Sequence, residues 1–74
     1  MKMEELIKLD LEDFLEYLFK VVDFEKWEQE CLRNQAVSFE QDEEFIKIFS
    51  ALGEEITVLE VLGEDEFDLL ETCF

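Results

Sequence analysis

Residues 55–74 decide the fold class. They read Glu55-Ile56-Thr57-Val58-Leu59-Glu60-Val61-Leu62, then Gly63-Glu64-Asp65-Glu66, then Phe67-Asp68-Leu69-Leu70-Glu71-Thr72-Cys73-Phe74. The first segment is β-branched, the last is largely apolar, and the Gly-containing four residues between them suit a turn, so the stretch predicts a β-hairpin. Phe67, Leu70 and Phe74 also fit helical spacing. That keeps an all-α chain of four or five short helices as the alternative, because short apolar runs are not settled by periodicity.

Toward the N-terminus, Gly53 is placed to end the preceding element in the left-handed conformation. Ser38-Phe39-Glu40-Gln41 matches a capping box, in which a Ser N-cap and a Gln three residues on satisfy each other's backbone donors. A helix is therefore predicted from Phe39, with Phe45, Ile48, Phe49 and Leu52 on its buried side. Glu40, Asp42, Glu43 and Glu44 crowd its first turns, where the helix dipole favours anions. Residues 34–37 have no period and read as a connection.

Phe24, Trp27 and Cys31 form an i, i+3, i+7 row, predicting a short helix from Phe24 to about Arg33 with Asp23 as N-cap and Asn34 as the C′ residue. Before it, Ile7, Leu11, Phe14, Leu18 and Val22 recur at steps of four, three, four and four, so Met3 to Val22 reads as one amphipathic helix. The expectation is an α+β chain with about three amphipathic helices followed by a C-terminal β-hairpin. At 74 residues it forms a single domain spanning 1–74.

The composition sets limits on function. Ten aromatic residues and 49% hydrophobic content are too apolar for a disordered acidic tail, so the chain should fold. Against 22 Asp and Glu stand 6 Lys and Arg, a formal charge of −16. A chain of this mass exposes roughly 4,800 Å² when folded, or about one uncompensated negative charge per 300 Å². Nucleic acid and anionic membranes are thereby disfavoured as direct partners. Positions 48–74 hold eight acidic residues and no basic one.

There is no His, which removes the commonest proton-transfer side chain and the commonest transition-metal ligand. A chain this small has little volume for a water-excluding pocket. No enzymatic activity, cofactor or dedicated metal site is expected. The acidic stretch from Glu64 to Glu71 lacks the ligand order and central Gly of an EF-hand loop. Acyl carrier proteins share this length and acidity but present a Ser between Asp and Leu. The nearest stretch here is Asp68-Leu69-Leu70, and no Ser follows position 50. Ser38 is engaged as the expected cap, and neither Cys31 nor Cys73 has a His to activate it. Their 42-residue separation suits neither a metal site nor a disulfide framework, so they read as reduced thiols acting as small hydrophobes; one bridge tying the C-terminus to the middle is the alternative. The N-terminus lacks the pattern of a signal peptide, and no run is long enough to span a membrane, which points to a cytoplasmic protein.

Solubility needs a net charge of only about 2–8 in magnitude, and excess like charge destabilises a compact state. The surplus calls for a function. The candidate partner-binding residues are Glu12, Asp13 and Glu16 on the first helix, Glu40, Asp42, Glu43 and Glu44 at the third helix start, and Glu64, Asp65, Glu66 and Asp68 around the hairpin turn. A fixed array of carboxylates can imitate the phosphates that a nucleic-acid-binding protein grips with Lys and Arg.

In length, acidity and lack of catalytic residues the chain resembles in type the phage-encoded DNA-mimic inhibitors, among them some anti-CRISPR and anti-restriction proteins. That resemblance implies competition with nucleic acid for a basic channel, in the bacterial host cell if the chain is phage-encoded. Two alternatives are an immunity protein or antitoxin plugging a toxic nuclease, and a non-inhibitory acidic interaction module that dimerises through the apolar edge of its hairpin.

Overall fold

A computed structural model of the chain describes residues 2–73. The described residues form three helices, α1 (Met3–Leu6), α2 (Leu11–Val21) and α3 (Lys26–Gln35), followed by four strands, β1 (Ala36–Asp42), β2 (Phe45–Ser50), β3 (Glu55–Gly63) and β4 (Glu66–Thr72). The strands pair antiparallel in the order β1-β2-β3-β4. The α+β class and the hairpin at 55–72 agree with the sequence reading; Phe74, the last residue of that predicted segment, lies outside the described residues.

The predicted N-terminal helix is broken in two. Asp10 adopts an extended backbone and its side chain accepts a hydrogen bond from the Asp13 N–H at 2.9 Å, so a new helix starts at Leu11. The predicted apolar stripe holds in α2, where Phe14, Leu15 and Leu18 are buried, but not before the break: in α1 Leu6 enters the core and Ile7, the first residue of the predicted stripe, is exposed. The second break falls at Val22, the C-cap of α2, next to the boundary implied by the separate row Phe24, Trp27 and Cys31 with Asp23 as its expected N-cap. However, the N-cap of α3 is Glu25 and not Asp23; its N–H donates to the carboxylate of Glu28 at 2.9 Å. Asn34 is not a C′ residue, because α3 runs on to Gln35 and passes into β1 at Ala36 without a loop.

The predicted third helix does not exist. Residues 36–50 form the hairpin β1–β2, with Phe39 opposite Ile48 and Asp42 opposite Phe45. Ser38 is a strand residue and caps nothing. In the segment Phe45-Ile46-Lys47-Ile48-Phe49 the β-branched residues recur with a period of two, and burial follows it: Ile46 and Ile48 are fully buried while Phe45, Lys47 and Phe49 are half-buried. Gly53 does take up the left-handed conformation, at φ +80, but in the β2–β3 turn, where its N–H donates to the Ser50 carbonyl.

One face of the sheet carries the helices. Phe39 stacks on Phe14 of α2 with ring centroids 4.0 Å apart, and Phe67 of β4 meets Tyr17 edge to face at 6.1 Å. The core these contacts flank includes Ile46, Ile48, Ile56 and Leu59 from the sheet and Leu18 and Leu32 from the helices, with Phe39, Phe67 and Tyr17 packed against it. Among the described residues no helix packs on the other face.

Candidate binding surface

Residues directly opposite each other in an antiparallel pair share a face. Since Ile46 and Ile48 point into the core, Phe45, Lys47 and Phe49 emerge on the uncovered face. The register then builds two rows there. One runs Glu40, Lys47, Val58, Glu71 across the four strands; the other runs Asp42, Phe45, Glu60, Asp68. Neighbouring strands stand about 4.8 Å apart and successive outward residues on β1, β2 and β3 about 6.8 Å, while on β4 a register shift separates Asp68 from Glu71 by three residues, so these positions form a grid that is irregular at its β4 edge.

Five of the eight grid positions are carboxylates, with the single cation Lys47 among them. Lys47 reaches Asp42 at 3.4 Å and Glu55 at 3.5 Å. Its pKa is raised, first by the hydrogen bond to Asp42 and then by the charge of Glu55, so it stays protonated. Among the described residues no ion pair reaches Glu40, Glu60, Asp68 or Glu71. Glu60 and Asp68 face each other directly across β3 and β4, an arrangement of like charges that destabilises a sheet.

Strand reversal carries the connections β1–β2 and β3–β4 to the same end of a four-stranded meander. The two tips are therefore neighbours in topology: Glu43 and Glu44 in the first, Glu64 and Asp65 in the second, with Glu66 opening β4. The two acidic segments that look separate in sequence are thus brought to one end of the sheet. Glu43 and Asp65 both have positive φ, at 55 and 58. Tyr17 of α2 donates its hydroxyl to Asp65, which ties the second tip to the helical layer.

Glu12, Asp13 and Glu16 are exposed on α2 and belong to the helical side of the molecule, away from the open sheet face. Glu12 and Glu16 border a cleft of about 280 Å³ with Leu11, Leu15 and Arg33. Arg33 also lies over the Phe19 ring at 5.2 Å. That patch is mixed in charge. Of the eleven residues predicted, Glu40, Asp42 and Asp68 lie on the open face and Glu43, Glu44, Glu64, Asp65 and Glu66 at the shared tip end. Sequence reasoning missed Glu60 and Glu71: alternation with Leu59 and Val61 was the available signal for Glu60, whereas Glu71 shares the parity of Leu69 and reaches the open face only through the register shift between them.

Both cysteines are free; Cys31 is half-buried and Cys73 is exposed, so the latter is not the buried small hydrophobe expected. Among the described residues no group of His, Cys, Asp and Glu is arranged to hold a metal ion, and no helix is long and apolar enough to cross a membrane. The chain matches no known protein family, no curated protein and no solved structure.

Proposed function

We propose that this chain is a small acidic inhibitor whose sheet imitates nucleic-acid phosphates and occupies the basic nucleic-acid-binding surface of another protein, in the manner of phage DNA mimics. The observation that carries this reading is the segregation of charge by layer. Residues 36–74 hold twelve acidic residues and one basic, a net −11, against ten acidic and five basic in residues 1–35. The strand half uses that charge on an uncovered face and on two tips at one end. Such a surface steers a cationic partner into contact quickly and loses affinity as salt rises.

Immobilised chain tests the reading against its variant Glu40→Gln, Asp42→Asn, Glu60→Gln, Asp68→Asn. The expected result is a nucleic-acid-binding protein retained by the parent, released by excess duplex DNA and lost on the variant. A partner that binds parent and variant alike, or that DNA does not displace, overturns it.

A further inference from the structure

The open sheet face holds more than charge. In one row Phe45 is flanked by Asp42 on β1 and by Glu60 and then Asp68 on β3 and β4. Phe45 and Phe49 are half-buried, and neither belongs to the core on the opposite side of the sheet. Asp42 is engaged by Lys47, whereas Glu60 and Asp68 stand opposed with no ion pair among the described residues. The row thus places an aromatic ring beside two adjacent like charges, an arrangement that costs stability in the isolated chain.

We infer that this face docks arginine in preference to lysine, with a guanidinium from a basic protein partner lying over Phe45 and its fork bonded to Glu60 and Asp68. The inference rests on the docking reading above and adds to it the chemistry of the contact. A guanidinium is planar, weakly hydrated and rich in directed donors, so it stacks on an aromatic face and bonds neighbouring carboxylates together. An ammonium is a compact, strongly hydrated charge and gains little from the ring. Charge complementarity also excludes the other occupants of an uncovered sheet face: a second copy of this chain would set one acidic grid against another, and an anionic lipid surface would be repelled.

The test titrates ¹⁵N-labelled full chain with a short flexible peptide bearing arginines separated by Gly and Ser, and with the same peptide in which lysine replaces every arginine. The expected result is about three- to tenfold tighter binding of the arginine peptide, with amide shifts on β1–β4. Phe45→Leu should abolish that preference while keeping charge-driven binding. Glu60→Gln with Asp68→Asn, which removes repulsion and so should not impair folding, should weaken both peptides. Equal affinity for the two peptides overturns the arginine inference and leaves the acidic docking surface standing. Failure of both peptides to bind, or shifts confined to α1–α3, overturns the docking surface as well.

Discussion

The hydroxyl of Tyr17 on α2 donates to the carboxylate of Asp65 in the β3–β4 turn, 48 positions away in sequence. This contact sets the position of one acidic tip relative to the helices. It also raises the Tyr17 pKa: burial acts first, then the hydrogen bond to Asp65, then the negative charges of Asp65 and Glu64. A folded-state pKa above the unfolded value stabilises the fold in full below the unfolded value of about 10 and loses that contribution as pH rises through the folded one. Tyr17 is the only tyrosine, so its absorbance titration reports this group alone. The midpoint should lie above 10 in folded protein, and Tyr17→Phe should lower the urea midpoint below pH 10 with a difference that narrows at higher pH. A midpoint at the ordinary tyrosine value would show that the contact is not made in solution.

Thr57 is fully buried on the core side of β3, opposite Ile48, and its hydroxyl has no hydrogen-bond partner among the described residues. A buried hydroxyl without a partner costs about 1–3 kcal/mol. Thr57→Val keeps the β-branched shape and removes the orphan group, so it should stabilise by about 1 kcal/mol in urea denaturation. Thr57→Ser keeps the hydroxyl and loses a packed methyl, so it should destabilise. A loss of stability in the valine variant would show that the hydroxyl is satisfied, for instance by a buried water.

The hairpin at 55–72 was legible because its β-branched run is followed at once by Gly63, although Gly63 ends β3 and the reversal itself is the two residues Glu64-Asp65 rather than the predicted four. The hairpin at 36–50 was not, because its two-residue turn is Glu43-Glu44, with none of the Gly or Asn that usually marks such a reversal. Without that cue, Phe45, Ile48 and Phe49 fit a helix as well as a strand, and Ser38 with Gln41 supplied a misleading cap. The β-branched and aromatic run 45–49 carried the contrary signal. The acidic surface was legible in amount but not in layout, since facing across strands depends on register, which only the folded sheet supplies.

Backbone conformation at the turns separates three substitutions by sign. Glu43 holds φ at 55, a region that costs a side chain with a Cβ about 1 kcal/mol, so Glu43→Gly should stabilise by about that amount. Gly53 sits at φ +80 with open space around it, so Gly53→Ala meets no steric clash and should still destabilise by about 1 kcal/mol through strain alone. Asp65→Gly relieves the same strain at φ 58 but removes the acceptor of Tyr17, and should gain less than Glu43→Gly. Thermal melts of the three variants check the order.

The charge that the proposed function requires should also be the chain's chief weakness when alone. The folded molecule exposes 4795 Å² to solvent and carries a net −16, about 300 Å² per uncompensated charge. Its melting temperature should therefore rise between 10 and 500 mM salt as screening lengths fall from about 30 Å toward 4 Å. Lys47→Gln removes the one cation of the open face and both of its ion pairs, so it should lower the melting temperature at low salt and converge with the parent at high salt. Glu60→Gln with Asp68→Asn should act in the opposite sense, gaining about 0.5 kcal/mol at low salt by removing a cross-strand repulsion. If these carboxylates are kept for a cationic partner, that more stable variant should bind basic peptides more weakly than the parent. A variant both more stable and equally well bound would leave the opposed pair without a role in docking.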